Sequence, residues 1–438
     1  MLRLQRATIC ERGVRERAGI RADVERGPAD EAYARRYFRV SDGCARKDHS
    51  DSMQISAKPF LSIAAPFIFF LLLGAVAWHS YHYPDYGIDM LGYMENIAAL
   101  ETSNVNEIHA AVYGEVRSRL PEKARDHLLG LDKGTPDLQN SSLQDRASNP
   151  RHFAEFLPCF AVRPLYIELL HLFHKCGASL VKATVLGAVL PYVALGALLF
   201  VWSQRCVGSV YASALAFLLA ITPPVWNLSR MTEPDCMSTL WVCLALYLIF
   251  ERNSLTAGLT VLLSSVYVRT DNVLLVLCVL AYLGVRTKQV DKWKAAVLAG
   301  VAVASVYTIN HFAGDYGWRL LYYRGFIAPP IAPGEFVAHF SLADYERALR
   351  SGIAALINGN FVPYLFFGMI GYLASTKQSM RKVFGIVIVF SAMHFIIFPL
   401  ALDRYLALYY VVASLAAISA VPVVTKHAEA EIKAGVVA

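Results

Sequence analysis

Residues 60–79 read FLSIAAPFIFFLLLGAVAWH, a run of 20 residues without an aspartate, glutamate, lysine or arginine. A helix of about 20 apolar residues is long enough to cross the hydrocarbon core of a bilayer. Nine further apolar runs follow along the chain, at 180–202, 210–226, 236–250, 255–268, 273–285, 295–312, 361–374, 383–400 and 406–424. The sequence therefore predicts an all-α polytopic membrane protein with about ten transmembrane helices.

The composition indicates the same class of protein. Of the 438 residues, 56% are hydrophobic and 17% are charged, and the mean hydropathy is +0.42. Soluble domains carry about 45–50% apolar and about 25% charged residues. A soluble enzyme, a disordered chain and a disulfide-rich secreted scaffold are therefore excluded for residues 53–438, which we treat as one membrane-embedded domain. The eight cysteines include no C-x-x-C pair, so they predict no metal site.

The first 52 residues form a different kind of segment, because 12 of them are Lys or Arg and 9 are Asp or Glu. They show little apolar periodicity and no apolar core of a signal peptide. We consider two interpretations: a basic disordered arm, or upstream sequence that is not translated, with synthesis starting at Met53. We favour the second, since MQISAKPF followed by an apolar run resembles the start of a first span.

The distribution of basic residues predicts the orientation. With residue 53 in the cytoplasm, most short-loop lysines and arginines fall in cytoplasmic connections near 205, 252, 286–294 and 377–382, as the positive-inside rule requires. The net charge of +7 then needs no nucleic-acid partner. Two long loops lie outside, the first outer loop at 80–175 and the second outer loop at 313–360. The first is predicted to contain interfacial helices at 89–100 and 105–120 and an amphipathic segment at 160–175.

Several charges at the outer ends of the predicted spans are not explained by orientation. They are Asp85, Asp89, Arg163, Arg230, Glu233, Asp235, Arg269, Asp271, Asp403 and Arg404. Ionisable groups at membrane depth are costly, so they either pair with each other, as Arg269 and Asp271 would, or mark a functional site. Arginine suits a lipid phosphate, and a carboxylate beside a hydroxyl suits a general base. A cavity that collects these groups would transfer a group from a lipid-linked phosphate to an acceptor.

Several stretches of the chain resemble the multi-spanning GT-C glycosyltransferases that use polyprenyl-phosphate sugars, such as bacterial aminoarabinose transferases and protein mannosyltransferases. They are PDYGIDMLGYMENIAAL (84–100), AVRPLYIELLHLFHKCG (161–177), SRMTEPDCMSTLWVCLALYL (229–248), VRTDNVLL (268–275) and LDRYLALYY (402–410). The resemblance covers the layout of residues 53–424. It departs from the best-known members in lacking a large C-terminal soluble domain and in carrying one arginine and one proline, rather than a lysine and two prolines, at 163–164.

The resemblance implies an inverting transfer with Asp89 as the catalytic base. The Asp-x-x-x-Tyr spacing places Tyr93 one helical turn further along the same face, and Asp85 is the alternative base. The family has a second acid in a short loop, which here precedes the apolar run 236–250. This acid is either Glu233 or Asp235, depending on the family branch.

The resemblance also implies a binding site for the leaving lipid phosphate. Arg404 and Tyr405 would hold this phosphate, and Arg163 and Arg269 would be secondary cations. Some members need a divalent cation, which Asp89 and Asp235 would share, although nothing in the sequence demands one.

The predicted protein therefore lies in a bacterial inner membrane, with its active site on the periplasmic side. Its partners would be a polyprenyl-phosphate sugar donor and a glycan, lipid or protein acceptor. The alternatives are a polytopic transporter or lipid-binding or lipid-flipping protein, and a non-catalytic scaffold. A transporter predicts ionisable residues near the middle of spans, and a scaffold predicts that Asp89 is dispensable.

Overall fold

The computed structural model describes residues 57–134, 136–327, 333 and 341–435. Within these residues the secondary structure is helical, and the only β contact is an isolated bridge between Asp85 and Met231. The predicted all-α class is therefore confirmed for the described part of the chain. The charged segment 1–52 lies outside the described residues, and so do both interpretations of it.

The first apolar run lies in helix α1, Ala57–His82. At 1.5 Å per residue its 26 residues form a rod about 39 Å long, which exceeds the thickness of a bilayer core of about 30 Å. Large apolar side chains on α1 point away from the protein: Ile63, Phe67 and Trp78 are 76%, 68% and 68% exposed. Because burying such side chains away from water stabilises a protein by about 2 kcal/mol each, this surface indicates contact with lipid.

In the described part of the first outer loop, the chain folds into short helices. They are α2 (Asp89–Ala99), α3 (Val105–Arg119), α4 (Glu122–Leu128), α5 (Asp137–Ser148), α6 (Pro150–Ala154), α7 (Leu157–Ala161) and α8 (Pro164–Lys175). The helices predicted at 89–100 and 105–120 are thus confirmed, and the Asn104 side chain caps the second by accepting the N–H of Asn106. Helix α5 forms within the Gly/Pro/Asn/Ser-rich stretch 130–150, where Pro136 precedes its first turn.

The remaining helices contain the other apolar runs and the second outer loop. They are α9 (Leu180–Gln204), α10 (Ser209–Ala220), α11 (Pro223–Arg230), α12 (Asp235–Phe250), α13 (Leu255–Ser264), α14 (Val273–Ala281), α15 (Lys292–Phe312), α16 (Gly317–Phe326), α17 (Leu342–Asn358), α18 (Phe361–Ala374), α19 (Gln378–Ile397) and α20 (Ala407–Gly435). Two 3₁₀ turns link α13 to α14, and a π-helical turn, Tyr282–Thr287, extends α14.

Helix length and apolar composition identify fewer candidate spans in the described residues than the ten predicted. Among the described residues, five helices are long and apolar enough to cross a membrane, or up to eight if each of three bent helix pairs forms one span. The run 210–226, for example, breaks at Pro223 into α10 and α11, which meet at 66°. The structure supports a helical membrane protein, and the count of ten spans stays a prediction.

Two glycines let the helices of the first outer loop pack closely on their neighbours. A Cβ atom at Gly92 of α2 would lie 2.1 Å from the Phe160 ring of α7, and one at Gly187 of α9 would lie 2.3 Å from the Leu170 side chain of α8. A larger residue would clash at either position, so α2 is held against α7 and α8 against α9. This packing places the start of α2 and the start of α8 beside the same cavity.

Candidate active site

A cavity of about 620 Å³ lies where the first and second outer loops meet the ends of the apolar helices. Its volume is in the range of small-molecule sites. Its polar and charged lining includes Asp89, Arg163, Arg269, Asp271, Arg324, His394, Arg404 and Tyr405. Of the nine residues predicted for the site, five therefore line one cavity: Asp89, Arg163, Arg269, Arg404 and Tyr405.

Asp89 is the first residue of α2 and faces two arginines. Its carboxylate lies 3.2 Å from Nη2 of Arg324 and 3.5 Å from Nη1 of Arg404. Burial by itself would raise the pKa of Asp89, but the charges of Arg324, Arg404 and two further arginines outweigh burial and lower it. The side chain remains 24% exposed, so it is an ionised carboxylate that a molecule in the cavity can reach.

Arg404 connects Asp89 to Glu233, one of the two candidates for the second acid. Its guanidinium forms an ion pair with Glu233 as well as with Asp89, and it lies 5.1 Å from the centre of the Tyr405 ring. The Nε–H of Arg404 is buried and makes no hydrogen bond to any described residue. Arg404 therefore sits at the centre of the acidic groups with one donor group still unused.

Arg269 forms a second charged group, and its guanidinium lies 5.0 Å from the centre of the Tyr405 ring. It donates two hydrogen bonds to the Asp271 carboxylate, from Nε at 3.1 Å and from Nη2 at 2.7 Å, and it also pairs with buried Asp235. His394 contacts Asp271 at 3.0 Å. The local ion pair expected between Arg269 and Asp271 thus forms. Asp235 is held by Arg269, whereas Glu233 is held by Arg404.

Arg163 differs from the other cavity arginines because, among the described residues, no carboxylate lies within 4 Å of it. It precedes α8, and its Nη1 donates a hydrogen bond to the hydroxyl oxygen of Tyr93 at 2.5 Å. Tyr93 is fully buried, and burial raises its pKa, so the phenol stays protonated. Tyr93 therefore positions a cation whose charge is not neutralised by a neighbouring acid.

Asp85, the alternative base, lies outside the cavity lining. Its side chain is exposed, and its backbone N–H donates to the carbonyl of Arg230 at 2.8 Å in the bridge beside Met231. Arg230 in turn donates from Nε to the carbonyl of Tyr83. Asp85 is only four residues from Asp89. Of these two acids, Asp89 is the one that contacts the cavity arginines.

Two basic residues of the cavity, Arg324 and His394, were not predicted from the sequence. Arg324 lies on α16 in the second outer loop, and His394 lies near the end of α19. A signal for Arg324 is visible in hindsight, since an arginine on the side that the positive-inside rule leaves poor in basic residues needs another explanation. The contact between Arg324 and Asp89, which are 235 residues apart, has no local signal.

A divalent cation shared by Asp89 and Asp235 finds no prepared set of ligands in the described residues. Asp89 is paired with Arg324 and Arg404, and Asp235 is paired with Arg269. No group of three or more His, Cys, Asp and Glu side chains in the described part of the chain is arranged to hold a metal ion. The acids of the cavity are arranged to meet arginines.

Searches of protein-family models, curated proteins and solved structures find no match to this chain. The chemistry of the site therefore has to be judged from its own geometry. That geometry combines an accessible carboxylate, four arginines and an apolar wall that includes Leu274, Val306 and Phe398.

Proposed function

We propose that the protein is a membrane glycosyltransferase that moves a sugar from a polyprenyl-phosphate donor to an acceptor hydroxyl, on the periplasmic side of a bacterial inner membrane. The observation that carries the proposal is that the accessible carboxylate of Asp89 shares one cavity of about 620 Å³ with four arginines. The cavity has a polar side for a phosphate and a sugar, and an apolar side for the first part of a lipid chain.

In the proposed reaction, Asp89 accepts the proton of the acceptor hydroxyl. The acceptor oxygen then bonds to the anomeric carbon, while the bond from that carbon to the phosphate oxygen breaks. The electron pair of the broken bond stays on the phosphate, where arginine donors stabilise the developing charge. Attack from the side opposite the leaving phosphate inverts the configuration, in the manner of the water-activating carboxylate of inverting glycosidases.

The donor phosphate would bind at Arg404 and Tyr405, with Arg163 contributing a charge that no carboxylate balances. Arg404 lies 3.5 Å from Asp89, so it can stabilise the leaving group close to the base. A bound phosphate also competes with Asp89 for Arg404 and Arg324. Because these arginines lower the pKa of Asp89, donor binding would raise that pKa and make Asp89 a stronger base.

The substitution Asp89→Asn tests the base directly. We expect transfer from a radiolabelled polyprenyl-phosphate sugar, measured in membranes that contain the full chain, to fall by about 10²–10⁴-fold. Asp85→Asn is the matched variant, since it makes the same change four residues upstream and outside the cavity, and it should keep most of the activity. Full activity of Asp89→Asn, or loss of activity in Asp85→Asn alone, would contradict the assignment.

Binding or flipping of the lipid without transfer is separated by a second pair of variants, Arg404→Gln and Asp89→Asn. Arg404→Gln removes the central cation and should weaken binding of a polyprenyl phosphate, whereas Asp89→Asn should leave that binding largely intact. If neither wild type nor variants transfer any polyprenyl-phosphate sugar while Arg404→Gln still weakens lipid binding, the protein is a lipid-binding or lipid-flipping protein instead.

A further inference from the structure

A second groove runs along α19, on a different face from the cavity. It has a volume of about 590 Å³ and lies between α14 with its π-helical turn, the end of α18, and α19. Its walls are mostly apolar and include Leu277, Tyr372, Val389 and Met393. The side chain of Val389 is 52% exposed and that of Met393 is 36% exposed, so the groove is open along its length.

Gly385 forms part of the groove floor and makes room for a ligand. A Cβ atom at Gly385 would have no neighbouring atom within 4 Å, so no packing within the protein requires glycine at this position. In the middle of a helix, glycine is unfavourable by about 1 kcal/mol relative to alanine. Gly385 therefore leaves the groove open at this position among the described residues.

Two basic residues, Arg381 and Lys382, line one end of the groove. Arg381 donates from Nη2 to the carbonyl of Leu373 at 2.9 Å, near the end of α18, which leaves its other donors available. Neither residue has an acidic partner within 4 Å among the described residues. Both belong to the basic connection 377–382, which the positive-inside rule assigns to the cytoplasmic side.

The length of the groove matches one leaflet of a bilayer. Arg381 and Met393 are twelve residues apart on α19, which corresponds to about 18 Å along the helix axis. Half of a hydrocarbon core of about 30 Å is about 15 Å. A lipid whose phosphate lies at Arg381 and Lys382 would thus have its chain run along α19 towards Met393, which precedes the cavity residue His394.

We propose that this groove is a binding site for an anionic phospholipid of the cytoplasmic leaflet. Its phosphate contacts Arg381 and Lys382, and one acyl chain lies over Gly385 and Val389. The unpaired positive charge at one end and the apolar walls elsewhere complement such a lipid. The donor of the proposed transfer fits less well, because its phosphate belongs beside Arg404, beyond the opposite end of α19. The proposal does not depend on sugar transfer.

Native mass spectrometry of the full chain in detergent tests this site with phosphatidylglycerol and phosphatidylcholine as probes. We expect phosphatidylglycerol to be retained at least fivefold more strongly than phosphatidylcholine. In the double variant Arg381→Ala/Lys382→Ala, the retention of phosphatidylglycerol should fall by about fivefold for each charge removed. Lys292→Ala/Lys294→Ala is the matched control, since it removes two charges from the same predicted side but outside the groove.

The acyl-chain part of the groove is tested by Gly385→Leu, because a Cβ atom at this position meets no neighbour within 4 Å and the leucine side chain would extend into the groove. This variant should fold and should lose retention of phosphatidylglycerol by at least fivefold. Gly74→Leu on α1 is its control, because Gly74 also has no neighbour within 4 Å of a built Cβ atom but does not line the groove. Equal retention of the two phospholipids, unchanged retention in Gly385→Leu, or displacement of phosphatidylglycerol by an equal concentration of polyprenyl phosphate would each overturn the proposal.

Discussion

The first residue of α2 and a residue in its second half place carboxyl groups in opposite electrostatic surroundings. At its start, Asp89 opens into the cavity and faces Arg324 and Arg404, which lower its pKa. Six residues further on, Glu95 is fully buried, and neither carboxyl oxygen has a hydrogen-bond partner among the described residues. Burial raises the pKa of Glu95 well above its ordinary value, and Arg146 opposes this only in part. The same chemical group is thus ionised in Asp89 and neutral in Glu95.

This difference teaches that access and partners, rather than residue type, select the reactive acid. A base needs an ionised form and a path to its substrate. Asp89 has both, whereas Glu95 has neither.

The largest effect should separate the two acids in activity. Asp89→Asn is expected to lower sugar transfer by about 10²–10⁴-fold, whereas Glu95→Gln should stay within about twofold, because it replaces a neutral acid with a neutral amide of similar size. Both variants are measured with the same donor in the same membranes. A large loss in Glu95→Gln with unchanged protein level would show that the buried acid takes part in the chemistry.

Removing Arg324 should shift the activity of Asp89 along the pH axis. Arg324→Gln removes a charge 3.2 Å from Asp89, so the pKa of Asp89 rises. Transfer falls by about 10–10²-fold, because a cation that would stabilise the leaving phosphate is also lost. Since the base acts in its ionised form, activity is lost as pH falls through this pKa, and the loss should begin at higher pH in the variant. Arg347→Gln on α17, an exposed arginine 3.5 Å from Asp344, should leave the profile unchanged. A profile that does not move in Arg324→Gln would contradict the contact.

Tyr93→Phe tests whether Tyr93, in the middle of α2, positions Arg163 for donor binding. The change removes the hydroxyl oxygen that accepts the hydrogen bond from Arg163, and the apparent KM for the donor should rise about tenfold, in line with a hydrogen bond to a charged group. Tyr113→Phe is the matched control, since Tyr113 is an equally buried tyrosine whose hydroxyl makes no hydrogen bond to a described residue. Equal effects of the two variants would reduce the role of Tyr93 to packing.

The smallest effect concerns stability against pH. Because the pKa of folded Glu95 is raised above the ordinary value of 4.5, the folded state binds more protons than the unfolded state above about pH 4.5, and stability falls as pH rises. Glu95→Gln removes this dependence. The Tm of the variant minus the Tm of the wild type should therefore increase by about 2 °C as the pH rises from 5 to 8. Asp89 acts in the opposite direction, since its lowered pKa stabilises the fold above the ordinary pKa of Asp and this stabilisation is lost as pH falls. Scanning fluorimetry of purified protein, with exposed Glu122→Gln as the control, measures the difference, and a constant Tm gap would contradict a neutral Glu95.

Sequence reasoning predicted the parts of this arrangement that depend on local pattern. The apolar runs and the local helix signals at 89–100 and 105–120 indicated the helices, because helix periodicity and bilayer thickness act over a few turns. The cost of charge at membrane depth pointed to Asp89, Arg163 and Arg404. It could not separate Asp85 from Asp89, because both follow the same apolar run and only their contacts differ.

The number of spans was harder to predict than the fold class. Hydrophobicity marks a segment as apolar, but it does not distinguish a straight span from a helix that breaks, as α10 and α11 do at Pro223. The bend depends on whether neighbouring helices satisfy the freed backbone groups, which is a property of packing.

By itself, the sequence determined that the chain is helical and apolar enough for a membrane, and that its few charges concentrate at the ends of the apolar runs. Only the tertiary structure decided which of these charges meet. Arg324 contacts Asp89 across 235 residues, the side chain of Asp85 is exposed outside the cavity, and Glu95 is buried without a hydrogen-bond partner among the described residues. The physical reason is that hydrophobicity and helix formation are short-range properties, whereas the pairing of charges depends on side-chain directions that the whole packing sets.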